Sequence, residues 1–144
     1  KLLPFSPKVV LRTKASVAFR EDATTCHVIK GWSVDEWIRE LANNNLDVEK
    51  LFWQVIAALF RPDHPFDKAV LLYSSTGSNG KGTFLELLRH LVGVDRVATL
   101  SMSGFGKPFL PPSLLNCFAV LSDENKVGDF MRDASTLKAW VTHD

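Results

Sequence analysis

The sequence has few cysteines, with only two in 144 residues, Cys26 and Cys117. They are far apart and form no partner pattern, which excludes a disulfide framework and indicates a reducing compartment. His27 follows Cys26, but no second pair of ligands accompanies them, so a zinc site is not expected there. No apolar run approaches the roughly 20 residues that a helix needs to span a bilayer.

An excess of charge of one sign is also missing, since the formal net charge is only +1. This balance neither supports nor excludes nucleic acid as a partner, because local basic patches matter more than the total. Hydrophobic residues make up 46% of the chain, including 10 Phe and 4 Trp, which is enough for the core of one domain. The chain starts at Lys1 and stops at Asp144 near a helical pattern, so we expect a piece of a larger protein.

The first part of the chain predicts a mixed segment followed by two helices. Residues 1–31 indicate short strands or loops. Ser33 is followed three residues later by Glu36, which predicts a capping box and a helix. Asp47 is predicted to cap a second helix. Its apolar residues recur at helical spacing: Val48, Leu51, Phe52, Val55, Ile56, Leu59 and Phe60. Residues 32–66 are therefore expected to form a helical lead-in.

The remainder, residues 67–144, predicts an α/β domain in which strands and helices alternate. Strands are predicted in two apolar runs, 69–73 and 97–100, and in a third at 117–121 that is apolar throughout, as in a parallel strand buried on both faces. Helices are predicted at 82–92 and 134–141. The stretch 101–112, rich in Gly and Pro, predicts a loop with Phe105 and Phe109 tucked against the core.

A glycine-rich loop lies between the first of these strands and its helix. We define the glycine-rich loop as residues 77–83; it consists of Gly77, Ser78, Asn79, Gly80, Lys81, Gly82 and Thr83, and Phe84 follows it. Glycines let backbone N–H groups surround phosphate oxygens, while the helix start and the lysine add positive charge. A lysine at a helix start is repelled by the helix dipole unless an anion is present. These features predict that all eight residues bind a nucleotide.

The loop departs from the strict phosphate-loop pattern at two positions. Ser75 stands where the first glycine belongs, and a small residue can still make that turn. Gly82 stands where a hydroxyl usually reaches Mg²⁺, and glycine has no side chain to do so. Thr83, one place later, is expected either to serve Mg²⁺, directly or through water, or to contact phosphate.

Two carboxylates, Asp123 and Glu124, follow the apolar run 117–121. Phosphoryl chemistry needs one carboxylate to hold Mg²⁺ and often another to orient the attacking water. Ligands of open α/β sheets lie at the carboxyl ends of strands, so we expect these acids and the glycine-rich loop to face one crevice. The alternative is a solvated acidic turn. Asn125 is either a phosphate or water ligand or a simple turn residue.

From residue 37 to the end, the chain resembles the ATPase (helicase) domain of phage and plasmid primase-helicases, which belong to superfamily 3 with the poxvirus-type primase-helicases. The shared marks are the helical lead-in ending in Leu59 and Phe60, the segment 72–84 and the strand end 122–124. The tail 137–144 is also similar, although His143 replaces the glycine of the usual glycine-aspartate pair.

This resemblance implies an AAA+-like phosphate-loop NTPase core that binds ATP and Mg²⁺. Lys81 would hold the β- and γ-phosphates, Thr83 and Asp123 would serve the metal, and Glu124 would activate water. It also implies a homo-oligomeric ring, typically a hexamer, that acts on single-stranded or forked DNA in the cytoplasm of a bacterial host. The sensor strand and the arginine finger are expected after Asp144, so the fragment is expected to bind nucleotide but hydrolyse it poorly.

Two other functions remain open. Nucleoside monophosphate kinases also carry a glycine after the loop lysine, as in Lys81-Gly82-Thr83, but they usually begin with the loop, whereas about 70 residues precede it here. The second is a non-hydrolysing, nucleotide-dependent assembly or DNA-binding module in which ATP only holds subunits together.

Overall fold

The structure is a computed structural model that describes residues 20–23, 28–61, 67–107, 112–114, 117–122 and 134–142. These residues form an α/β fold with a two-stranded parallel sheet. The elements in chain order are α1 (Val34–Leu41), α2 (Leu46–Leu59), α3 (Lys81–Val92), β1 (Val97–Thr99), β2 (Ala119–Leu121) and α4 (Ser135–Thr142). Short 3₁₀ turns lie at Val94–Arg96, Met102–Gly106 and Pro112–Leu114.

The caps of the first two helices show why each begins where it does. The Ser33 hydroxyl oxygen accepts the Glu36 backbone N–H at 3.2 Å and donates to the Glu36 carboxylate at 3.2 Å, which confirms the predicted start of α1. The prediction that Asp47 caps α2 is wrong. Asn45 is the cap, because its side-chain oxygen accepts the backbone N–H groups of Asp47 at 3.0 Å and of Val48 at 3.2 Å.

The sheet has one core on each face. β1 and β2 pair in parallel, with Val97 opposite Ala119 and Thr99 opposite Leu121. Val97, Ala119 and Leu121 pack into a core shared with α1, α2 and α3, whereas Ala98 packs into a second core on the other face. The prediction of a parallel strand is confirmed over Ala119–Leu121, which is shorter than the predicted 117–121. Leu121 is buried, whereas Ala119 and Val120 are half-buried.

The two cores anchor the elements around the sheet. The first is centred on Ile38, Phe84, Leu88 and Leu121, and the Phe52 ring meets the Phe84 ring edge-on at 4.7 Å. The second is formed by Ala98, Leu100, Phe105 and Leu114, against which Leu137 of α4 packs. The prediction that Phe105 is buried is confirmed, and Phe109 lies outside the described residues.

The strand predicted at 69–73 is not formed. Residues 68–74 have no regular secondary structure, and the backbone groups of 68–73 make no hydrogen bond to another described residue. Leu72 contacts the first core, but Leu71 is 81% exposed and Tyr73 84% exposed. An apolar run predicts burial, but a strand also needs a backbone partner, and the described residues supply none here.

The N-terminal segment and the Gly/Pro-rich stretch are described only in part. Ile29 and Trp32 form an isolated antiparallel bridge around Lys30 and Gly31, which have φ of 52° and 78°. Residues 1–19 and 24–27, which were also predicted to form short strands or loops, lie outside the described residues. Where it is described, the loop predicted at 101–112 contains short 3₁₀ turns. Across the ranges given above, no helix is both long enough and apolar enough to cross a membrane.

Candidate phosphate-binding site

Gly80 is required by the fold itself. It is the N-cap of α3 and has φ of 83°, a left-handed conformation that residues with a side chain rarely adopt. A Cβ at this position would lie only 2.8 Å from Cδ1 of Leu41 on α1. Glycine at 80 therefore serves the turn into α3 and the close packing of α1, whether or not a ligand is present.

Gly77 and Gly82 have no such internal requirement. Apart from the chain neighbours and the backbone of α3 itself, no heavy atom of the described residues lies within 4 Å of the place where a Cβ would stand at either position. Glycine in a helix interior costs roughly 0.5–1 kcal/mol relative to alanine, and Gly82 is the second residue of α3. The space beside both glycines is open to a ligand that needs close approach to the backbone.

The start of α3 presents unsatisfied donors. Its first turn contains no acidic residue, and no side chain caps it. The Phe84 N–H donates to the Gly80 carbonyl at 2.9 Å, but the N–H groups of Lys81, Gly82 and Thr83 make no hydrogen bond within the described part of the chain. Together they form the positive end of the helix, where anions are stabilised.

The Lys81 ammonium lies at this positive helix end and is held by a neutral group. Its Nζ donates to the side-chain oxygen of Asn79 at 2.7 Å, and the Asn79 amide donates to the Thr76 carbonyl at 2.7 Å. Among the described residues, Lys81 takes part in no ion pair, although its side chain is half-buried. A cation next to a positive helix end, without a carboxylate partner there, is an arrangement suited to an anion.

The other residues in and beside the loop either shape the turn or are exposed to solvent. Ser78 has a left-handed φ of 53°, uncommon for a residue with a side chain. The Ser74 hydroxyl oxygen accepts the Thr76 N–H at 3.3 Å at the start of the turn. Thr83 is exposed. The Phe84 side chain is 1% exposed within the first core, so it fixes α3 beneath the loop.

A cavity of about 340 Å³ adjoins the loop, between α2 and residues 70–74. This volume lies at the lower end of the range of small-molecule pockets, which is roughly 300–1,000 Å³. Apolar side chains make up most of the lining, with polar groups from Tyr73 and from the loop region. The lining residues are Leu41, Val48, Leu51, Phe52, Val55, Val70, Leu71, Leu72, Tyr73, Ser74, Asn79, Lys81 and Phe84.

The acidic residues predicted to complete the site, Asp123 and Glu124, lie outside the described residues, as does Asn125. β2 ends at Leu121, two residues before Asp123. In the described ranges, no group of three or more His, Cys, Asp or Glu side chains could hold a metal ion. The structure therefore describes the glycine-rich loop but not the acidic residues that were predicted to face it.

Two features of the site escaped sequence reasoning. The first is that Asn79 bridges Lys81 and Thr76. The sequence feature that could have indicated this is an amide side chain two residues before the lysine. The second is the cavity along α2, because the helical spacing of apolar residues does not show which of them border a cavity. Leu51 and Val48 instead line the cavity and are 52% and 38% exposed.

Comparison with known proteins yields one family. A family model described as "Family of unknown function (DUF5906)" matches residues 72–144, half of the chain. The match begins five residues before the glycine-rich loop and runs through α3, both strands and α4. No curated protein matches the chain.

Proposed function

Since the chain belongs to DUF5906, a family of unknown function, we propose a function from its own site: the glycine-rich loop binds the phosphates of ATP. The wider proposal is that the chain is the ATPase module of a DNA helicase in a phage- or plasmid-type replication protein, built on an AAA+-like phosphate-loop core.

One observation carries the proposal. The Lys81 ammonium lies at the N-terminus of α3, which no side chain caps, and among the described residues its only partner is the Asn79 amide. A charge of the wrong sign at a helix end costs typically 0.3–1 kcal/mol. A triphosphate would remove this cost, because its oxygens can accept from the Lys81 ammonium and from the N–H groups at the helix start together.

The residues present fit ATP with Mg²⁺ as follows. Lys81 would bind the β- and γ-phosphates, and the open backbone at Gly77 and Gly82 would allow their close approach. Thr83 and Asp123 carry the oxygen donors that Mg²⁺ prefers. Glu124 would orient the attacking water. The metal would supply charge neutralisation on the phosphates.

The helicase part of the proposal is supported by the sequence resemblance, in which the loop, the strand end with Asp123 and Glu124, and the helical lead-in occur together. It implies a homo-oligomeric ring that couples ATP hydrolysis to movement on single-stranded or forked DNA in the bacterial cytoplasm.

The loop is tested by the affinity for Mg-ATP of the wild type and of Lys81→Ala, measured by calorimetric titration. A hydrogen bond to a charged group is worth about 1.5–3 kcal/mol, so we expect Lys81→Ala to weaken binding about 10- to 150-fold. Lys107→Ala is the matched control, because Lys107 is exposed and does not line the cavity. Equal affinities of Lys81→Ala and wild type would contradict the proposal.

The chemistry is tested separately in the full-length protein. We expect DNA to stimulate ATP hydrolysis. We also expect Glu124→Gln to abolish this hydrolysis without loss of ATP binding. Phosphate transfer to AMP would instead identify a nucleoside monophosphate kinase. Nucleotide-dependent assembly without hydrolysis would identify a non-hydrolysing module. Unchanged hydrolysis by Glu124→Gln would remove Glu124 from the role of base.

A further inference from the structure

We infer that the cavity between α2 and residues 70–74 holds the nucleoside part, base and ribose, of the nucleotide whose phosphates Lys81 contacts. This inference rests on the proposed function and adds where the uncharged end of the ligand binds. It also assigns a binding role to α2, for which the sequence predicted only a helix of the lead-in.

The chemistry of the lining matches a ligand that is charged at one end and apolar at the other. Ser74, Asn79 and Lys81 line the cavity where it meets the loop. The wall from α2 offers only apolar side chains: Val48, Leu51, Phe52 and Val55. A nucleoside triphosphate has the same division, with anionic phosphates joined to a flat, uncharged ring system. Because Lys81 is at the loop, the phosphate end of the ligand would bind there.

Apolar surface on both sides of the cavity is still exposed to water. On one wall Leu51 is 52% exposed, and on the other Leu71 is 81% exposed and Tyr73 84% exposed. Burying apolar area stabilises a complex by roughly 25 cal/mol per Å². A base inserted between these walls would cover both, and the Tyr73 ring at the edge is available to stack on it.

The backbone of this wall can satisfy the polar edge of a base. Residues 68–73 form no backbone hydrogen bond to another described residue. The N–H and C=O groups of 70–73, which line the cavity, therefore have no hydrogen-bond partner among the described residues, and a bound base could supply one. A base needs such partners, because a buried polar edge without a hydrogen bond is unfavourable.

The experiment compares two ligands that differ in the nucleoside. Mg-ATP and inorganic tripolyphosphate are each titrated into the full chain by calorimetry. Val48→Trp fills the cavity from α2, and Tyr73→Ala removes the exposed ring from the opposite wall. Leu46→Trp is the matched control, since Leu46 is on the same helix, is 76% exposed and does not line the cavity. Circular dichroism checks that each variant is folded.

We expect Val48→Trp and Tyr73→Ala each to weaken Mg-ATP binding about tenfold, with tripolyphosphate binding unchanged and Leu46→Trp like wild type. Wild-type affinity for Mg-ATP in both cavity variants would overturn the inference while leaving the proposed function intact. Tyr73→Ala decides the matter if Val48→Trp does not fold, because the Tyr73 side chain is almost fully exposed. If wild type binds neither ligand, the proposed function fails and the inference fails with it.

Discussion

At the scale of single residues, the site depends on a cation held by a neutral partner. The bond from Lys81 Nζ to the Asn79 oxygen is 2.7 Å long, and Asn79 is itself tied to the Thr76 carbonyl. An amide orients the ammonium without cancelling its charge. A phosphate can therefore replace Asn79 as the acceptor at little electrostatic cost.

Replacing Asn79 by aspartate should convert this bond into an ion pair. We expect Asn79→Asp to weaken Mg-ATP binding about tenfold, because a carboxylate competes for Lys81 and repels the phosphates. Calorimetric titration measures it, and the loss should shrink at high salt. Asn79→Ala is the control that lacks the charge and should lose less. An Asn79→Asp variant that binds as tightly as wild type would contradict the role given to Asn79.

The three loop glycines should separate into two classes. Gly80→Ala should lower the free energy of unfolding by about 1–2 kcal/mol or more, because its φ of 83° is unfavourable for alanine and its Cβ would meet Leu41. Gly77→Ala and Gly82→Ala should leave stability unchanged or raise it by up to about 1 kcal/mol, yet weaken ATP binding. Urea denaturation and ATP titration measure the two effects. Equal stability of all three variants would argue against this division.

At the scale of elements, local signals in the sequence predicted the helices well and the strand before the loop badly. The capping box at Ser33 and the apolar spacing of α2 are both encoded within a few residues, so the helices could be predicted. The strand at 69–73 could not, because pairing depends on a partner distant in sequence. Asn45 was passed over for Asp47 as the cap of α2, because both side chains are good caps and only geometry distinguishes them.

The same limit applies to the candidate site. The sequence predicted the loop and the position of Lys81 at the start of α3, because glycines and a lysine between an apolar run and a helix form a local pattern. It could not show that Asn79 bridges Lys81 and Thr76, nor that Leu51 faces a cavity. Both depend on how side chains meet in three dimensions.

The cap of α1 gives a test at the level of one helix. Ser33 is 1% exposed and its hydroxyl oxygen accepts the Glu36 N–H, so Ser33→Ala leaves that N–H without its capping partner. We expect a loss of about 1 kcal/mol in the free energy of unfolding, measured in urea. Ser75→Ala, at an exposed position, is the control and should change stability little. An equal effect of the two substitutions would show that the cap contributes nothing.

At the scale of the whole molecule, the helical lead-in and the sheet share one core. Ile38 of α1, Phe84 of α3 and Leu121 of β2 belong to the same buried cluster, with Phe52 of α2 against it. The residues that position the loop are thus the residues that join the lead-in to the sheet. Binding and folding are expected to be linked, because a ligand that binds only the folded state stabilises it.

Phe84→Ala tests this shared core. Removing a buried Phe side chain costs about 3–5 kcal/mol, so we expect a loss of that size together with a single urea transition seen by both circular dichroism and tryptophan fluorescence. Phe60→Ala is the control, since Phe60 is 42% exposed, and it should cost far less. Separate transitions for the helices and the rest would show that the lead-in folds on its own.

The most direct measurement is a ¹H–¹⁵N correlation spectrum of the isotope-labelled chain, titrated with Mg-ATP and with tripolyphosphate. If the loop holds the phosphates, the amide signals of residues 77–83 move with both ligands, and most strongly those at the start of α3. Signals of α2 beside the cavity move only with Mg-ATP. Spectra in which residues 77–83 remain unmoved, while the chain binds nucleotide elsewhere or not at all, would contradict the assignment of this loop to phosphate.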